Sequence, residues 1–278
     1  MAVRALPQRT IIPGFGLTLG ITLSYLGLIV IIPLCVLFFK ASEAGWAKFW
    51  AELISPRTLA AFRVSFGIAF LAAFINAIFG FIVAWVLVRY RFAGRRFVDS
   101  LIDLPFALPT AVAGIALTSL YSAHGWLGAP LAAAGFKVAF TPLGILIALV
   151  FVGLPFVVRT VEPVLLDFER ELEESAAMLG ASRAHILWRV VFPPILPALM
   201  TGFTLAFARA IGEYGSVIFI AGNIPGYSEI IPLLIVIKLE QFDYAGATVI
   251  ATLMLVVSFV LLFAINVLQA WTRRRQGG

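Results

Sequence analysis

Charge is what this 278-residue chain has least of. Asp, Glu, Lys and Arg together make up 12% of it, about half the share usual for a soluble domain. With 62% hydrophobic residues, too little polar side chain is left to coat one core, so a soluble globular fold is excluded. Cysteine is nearly absent: the single Cys35 lies in the first apolar run, cannot close an internal disulfide and gives no redox signal. Histidine is limited to His124 and His185, which the topology below puts on opposite sides of a membrane. Neither a metal centre nor a Ser–His–Asp grouping can be assembled, so no catalytic residue and no metal ligand is assigned. The lysines are Lys40, Lys48, Lys137 and Lys238, and none precedes Ser or Thr. The phosphate-cradling Gly-x-x-x-x-Gly-Lys-[Ser/Thr] loop is therefore missing. Linkers rich in Pro or Ser and internal repeats are missing too, and the chain reads as one membrane domain over 1–278.

What the chain does have is long apolar runs, at about 14–39, 62–88, 100–122, 141–160, 195–221 and 245–270. Each reaches the roughly 20 residues that a spanning helix needs, the fourth most narrowly. Backbone amides in hydrocarbon must find internal partners, so the spans are expected to be helices. The expectation is an all-α integral membrane protein with six transmembrane helices.

Basic residues orient it. Arg4, Arg9, Arg89, Arg91, Arg95, Arg96, Arg159, Arg170, Arg183, Arg189, Arg273, Arg274 and Arg275 fall on the side of both termini. The other side has Lys40, Lys48, Arg57, Lys137 and Lys238. This bias places both termini in the cytoplasm and makes the net charge of +6 a topology signal rather than a sign of nucleic-acid binding. Arg4 and Arg9 precede an apolar stretch as in a signal peptide, but the run is too long for a signal core and lacks a clear small-residue cleavage site. It is expected to be a retained first span.

One charged island interrupts the oily sequence, in the connection between the fourth and fifth spans, about 161–194. It opens with Glu162-Pro163 and carries Asp167, Glu169, Glu171, Glu173 and Glu174 around Leu165, Leu166, Phe168 and Leu172. The pattern predicts a short amphipathic helix with acids near its amino end, where the helix dipole favours them. Gly180 permits a turn closed to other residues, and Ser182 is placed to cap a second helix. Pro193, Pro194 and Pro197 mark the return into the membrane, since proline suits a first helical turn. The expected product is a cytoplasmic helix–turn–helix; an ordinary solvated loop is the alternative.

The spacing of the island resembles the Glu-Ala-Ala loop of ABC importer permeases: an acid, two small residues, Gly six positions on, then Ile-x-Leu-Pro. Glu174, Ala176, Gly180 and Pro193 match, while Ser175 replaces an Ala, Val190 the Ile and Phe192 the Leu. The resemblance implies a type I importer permease core over about 60–270, with the loop docking on a separate ATP-hydrolysing subunit that holds ATP and magnesium; no cofactor is then bound by this chain. Glu174 is expected to make an ionic contact with that partner. Ser175 keeps the small class of the motif, Ala176, Ala177 and Gly180 allow close approach, and Leu179, Ile186 and Leu187 fill the partner's groove. The hairpin is then a lever that tilts the spans as ATP draws two nucleotide-binding subunits together.

Charge inside a span is costly and marks function by default. Arg209 lies roughly 21 Å into the fifth span, and Glu213, four residues on, faces the same side and can pair with it. Two readings stand: an ion pair bracing a neighbouring helix, or a cation lining a path for an anion. Gly212, Gly215 and Ser216 allow close helix approach. In the third span, Pro105 and Pro109 remove amide donors and bend the helix. The freed carbonyls, with the Thr110 hydroxyl, either line a hydrated route or accompany a packing kink. Asn76 is expected to hydrogen bond between helices, and Arg63 to snorkel to the surface.

Two runs, Leu104-Pro-Phe-Ala-Leu-Pro-Thr-Ala-Val-Ala-Gly114 and Phe207-Ala-Arg-Ala-Ile-Gly-Glu-Tyr-Gly-Ser-Val-Ile-Phe-Ile-Ala-Gly-Asn223, resemble the T-type permease subunit of bacterial sulfate/thiosulfate ABC importers. Molybdate permeases share a looser form of the second. The resemblance implies a bacterial inner-membrane complex with a W-type permease subunit, two ATP-binding subunits and a periplasmic sulfate-binding protein. A secondary anion transporter is the alternative of another class, and it leaves the cytoplasmic hairpin without a purpose.

Overall fold

Small residues recurring along one long helix decide how this membrane domain packs. The computed structural model describes the backbone of residues 15–276 and the side chains as far as Trp271. Arg4 and Arg9 lie outside the described residues, as do the side chains of Arg273, Arg274 and Arg275. In chain order the helices are α1 (Phe15–Glu43), α2 (Gly45–Leu53), α3 (Pro56–Arg89), α4 (Arg95–Ile102), α5 (Leu104–Ala107), α6 (Thr110–Tyr121) and α7 (Gly128–Ala133). They continue as α8 (Pro142–Asp167), α9 (Arg170–Met178), α10 (Arg183–Ile211), α11 (Val217–Ile220), α12 (Ile231–Glu240) and α13 (Tyr244–Gln276). No strand occurs among the described residues.

The core is the mutual packing of α3, α8 and α10. Ala61, Ser65, Ala69, Ala72, Asn76, Gly80 and Ala84 bury one face of α3, whereas Phe70, Phe74, Ile78 and Phe79 on the other are exposed. A stripe of small residues lets backbones approach closely, the usual means of helix association in lipid. Val157 of α8 is approached from two sides: a methyl built on Gly80 would lie 2.7 Å from its side chain, and one on Gly202 of α10 2.9 Å from its Cα. Around this core α13 packs on α10, α12 and α1. Large apolar side chains cover the outside, and the spanning part of α1 buries nothing within the chain. Such a surface suits hydrocarbon, not water.

Five described helices, α1, α3, α8, α10 and α13, are long and apolar enough to cross a membrane. The third apolar run differs from the single helix expected over 100–122. It is broken into α4, α5 and α6, and the apolar piece that remains has 12 residues, short of the roughly 20 needed. Leu108 is extended at φ −85°, ψ 133° because the ring of Pro109 disfavours the helical region for the residue before it. Pro109 therefore ends the helix instead of bending it, and α6 restarts at Thr110. The fifth run also differs. In place of 195–221, α10 begins at Arg183, passes through a π-helical stretch at Ile186–Val191 and stops at Ile211. A turn, α11 and the apolar α12 follow. The fourth run continues past 160 to Asp167, with Pro155 and Pro163 inside α8.

Candidate coupling and translocation sites

The charged island folds as a hairpin, α9 and the start of α10. The chain leaves α8 through extended Phe168 and Glu169, and α9 opens with Glu171 and Glu173 in its first turn, where the dipole favours acids. Its end is a Schellman closure: Ala181 N–H donates to Ala176 O at 3.1 Å and Gly180 N–H to Ala177 O at 2.9 Å. Gly180 holds the required left-handed conformation at φ +82°. The Ser182 hydroxyl accepts from His185 N at 3.3 Å, the cap expected of it.

Glu174, Ala177, Ile186 and Leu187 line one groove of about 340 Å³ with Trp85, Glu173, Arg183 and Val191. Glu174, Ser175, Ala177 and Gly180 are exposed, while Ala176 and Pro193 are half-buried. Leu179 stands 89% exposed at the tip, as does Met178, a neighbour that sequence reasoning missed. Ile186 and Leu187 are half-buried: they pack against the core of this chain on one side and line this groove on the other. Also missed was Arg89, the last residue of α3, whose guanidinium pairs with Glu173.

The two unusual membrane runs meet. α10 ends just before Gly212, so Glu213 sits in the turn beyond the helix, 3% exposed. Its carboxylate accepts from Ser216 N at 2.8 Å and Ser216 Oγ at 2.9 Å and pairs with the guanidinium of Arg209. The Arg209 side chain keeps 34% exposure. Gly215 touches Thr110, and a methyl on Gly114 would lie 2.7 Å from Ser216 Cα, so α6 and α11 pack through glycine-to-backbone contact. Arg209, Glu213, Ser216 and Thr110 thus form one continuous constellation. Pro109 adjoins it, exposed, whereas half-buried Pro105 lies in α5, where Phe106 packs edge-on against Phe156 at 5.1 Å. The void beside Glu213, shared with Ser65, Ile145 and Pro232, measures about 10 Å³, room for no more than a water.

Asn76 departs from expectation. It is fully buried against Gly153, and neither of its amide atoms has a hydrogen-bond partner. Arg63 is exposed.

Ion networks flank the core, and sequence patterning showed none of them. Arg159 of α8 binds Asp103 in bidentate fashion at 2.8 and 2.6 Å, Asp99 at 2.7 Å and Glu162 at 2.6 Å, fastening α4 and α5 to α8. Arg57 grips the buried Glu229 at 2.6 and 2.8 Å. Lys48 binds Asp243 at 2.7 Å, and Lys238 binds Glu52 at 2.5 Å and Asp243 at 3.0 Å. The hydrogen bond from Lys48, aided by Gly246 N–H and Lys238 against the cost of burial, holds the Asp243 carboxyl well below the usual carboxylate range. Burial works against the charge of Lys238, but Glu52 and Asp243 outweigh it and raise its pKa.

Residues 76–277 match the family model described as binding-protein-dependent transport system inner membrane component. The sulfate transport system permease protein CysT of Synechococcus elongatus is 52% identical over 253 residues, covering 91% of each chain. That of Salmonella typhimurium is 47% identical over 274 residues, 99% of each, and that of Escherichia coli 46% over the same length. Among solved structures, a chain of a bacterial ABC transporter involved in the import of the acidic polysaccharide alginate superposes with TM-score 0.76 at 16% identity, over 93% of this chain and 94% of that one. At that identity the likeness concerns the fold alone.

Proposed function

We propose, from the premise that this chain belongs to the binding-protein-dependent transport system inner membrane component family, that it is the T-type permease subunit of an ATP-driven importer of sulfate and thiosulfate. The observation that carries the substrate is the 46–52% identity over nearly the whole chain to sulfate permeases of three bacteria. Identity of that extent spans both the hairpin and the Arg209 constellation. The chain works beside a second, W-type permease subunit, two ATP-binding subunits that hold ATP and magnesium, and a periplasmic sulfate-binding protein. It lies in the bacterial inner membrane with both termini cytoplasmic, the broken run α4–α6 completing six crossings.

In this reading the hairpin is the handle. Met178 and Leu179 stand out as an apolar tip, Glu174 offers its charge beside them, and Ala176, Ala177 and Gly180 let the ATPase come close. Closure of the ATP-binding subunits moves α9, and α8 and α10, which flank it in the chain, carry the motion into the core. The path runs by Arg209, Thr110 and Ser216, where α6 and the turn after α10 can part. A stripped dianion faces a cost on the order of 20 kcal/mol or more, so the ion keeps much of its water. Arg209, its charge offset by Glu213, guides it without caging it. Affinity and selectivity then reside chiefly in the binding protein.

The test is uptake by purified complex in vesicles. Labelled sulfate should accumulate only with ATP on the ATPase side and the binding protein on the other, and thiosulfate should compete. Competition by molybdate alone would move the assignment to a related oxyanion. Uptake driven by an ion gradient with no ATPase present would replace it with a secondary transporter.

A further inference from the structure

We infer that Arg89 is a positioning residue that fastens the coupling helix to the membrane core and sets how much hairpin motion reaches the gate. The inference rests on the ATP-driven reading above. Arg89 closes the 34-residue helix α3, and its side chain is 9% exposed. Its guanidinium lies 5.5 Å from the Trp85 ring and 5.8 Å from the Phe168 ring while Nη2 donates to Glu173 Oε1. Three elements meet there: the end of α3, the bend between α8 and α9, and α9 itself.

Neighbouring acids of α9 therefore divide their tasks. Glu174 is exposed on the docking side. Glu173, 23% exposed, is turned inward and held by this chain's own arginine. Charge attraction strengthens where aromatic rings displace water, and a planar guanidinium stacks on those rings as an ammonium cannot. Beyond this contact, α9 packs on the π-helical stretch at Ile186–Val191, which belongs to the same hairpin. The Arg89–Glu173 pair is thus a direct grip of the coupling helix on α3. α3 is in turn wedged against Val157 through Gly80, and Ser65 near its other end accepts from Ile231 N at 2.8 Å. One rigid helix thereby joins the hairpin to the loop region around Glu229 and the base of α12.

The experiment uses the complete complex in vesicles, with ATP hydrolysis and sulfate uptake counted in the same preparation. Arg89→Gln should assemble with the ATPase and hydrolyse ATP near the wild-type rate, yet carry about tenfold less sulfate per ATP, a coupling loss of ordinary size. Arg89→Lys should fall between the two. The reversed pair, Arg89→Glu with Glu173→Arg, should recover more of the ratio than either single change. An unaltered ratio in Arg89→Gln overturns the inference. So does an equal fall of hydrolysis and uptake, which is the mark of lost folded complex. If Arg89→Gln does not accumulate, the ratio in Arg89→Lys decides the matter in the same way. A wild-type complex without ATP-dependent uptake sinks the importer reading itself, whereas a coupled wild type with an unchanged Arg89→Gln ratio sinks only this inference.

Discussion

At Gly114 a single added methyl would sit 2.7 Å from the Cα of Ser216, against backbone that cannot swing aside as a flexible side chain can. Gly114→Ala should therefore force α6 away from the turn that carries Glu213, at about 1–3 kcal/mol, the usual cost of overpacking. A lower thermal midpoint for the detergent-solubilised protein checks this, and an unchanged midpoint would mean that the two runs do not bear on each other. Arg209 poses a different question, because the ion pair is half open to its surroundings. Removing the guanidinium leaves the Glu213 carboxylate to the Ser216 donors alone, which hold it in place. Arg209→Ala should thus lower uptake about tenfold, as loss of a charged hydrogen-bond partner does, while the subunits still copurify. Dissociation of the complex, with normal transport by whatever survives, would make the pair a brace only. The partnership of Arg209 and Glu213 was legible from their four-residue spacing. The end of α10 at Ile211 was not, since nothing in an apolar, glycine-containing run tells a continuing helix from one that hands its chain to a buried carboxylate.

Among elements, the hairpin shows which signals a sequence carries. Gly180 and Ser182 act through local backbone geometry, so their turn and cap could be read from a few residues. How far Ile186 and Leu187 are covered depends on the segments packed against them, which leaves no compositional trace. Likewise Pro105 and Pro109 announced a disturbance in the third run, but whether a proline bends or ends a helix rests on what the following segment packs against. Here Gly114 and Thr110 find Ser216 and Gly215, and the break is stabilised. The outward-facing tip is Met178 and Leu179, each 89% exposed, so Leu179→Ser should leave the fold and its thermal midpoint unchanged. If the tip is buried in the ATPase, the same change should weaken association with it about tenfold, in keeping with about 1.5–3 kcal/mol for a fully buried leucine of which only part is lost. Titration of the tagged ATPase against the solubilised permease measures this, and equal affinity would remove the tip from the docking surface.

Across the whole molecule, charge is sparse enough that its placement amounts to a design. Several basic residues counted in the orientation argument, Lys48, Arg57, Arg159 and Lys238 among them, are also held in networks joining segments far apart in the chain, such as Lys48 with Asp243, 195 positions away. Separations of that size defeat any reading of pairs from sequence, which is why an all-helical membrane protein could be argued from composition and the fastening of α2 to the α12–α13 junction could not. That junction has a signature in pH. In the folded protein Lys48, Gly246 N–H and Lys238 keep Asp243 ionised below its ordinary value of 3.8, whereas an unfolded chain takes up the proton near that value. Protons therefore favour the unfolded state, and this stabilisation, complete at neutral pH, drains away as pH falls below about 4. Lys238 has the opposite sign, contributing below its ordinary value of 10.5 and losing that contribution as pH rises further. Thermal midpoints taken at about pH 6 and about pH 3 should show a smaller acid-induced drop for Asp243→Asn than for the wild type, because the amide has no proton to take up. At neutral pH the variant should be the less stable of the two, having lost its charged contact with Lys48. Equal acid sensitivity in both proteins would show that this junction does not bear the load its geometry gives it, and that α2 is held to the core by packing alone.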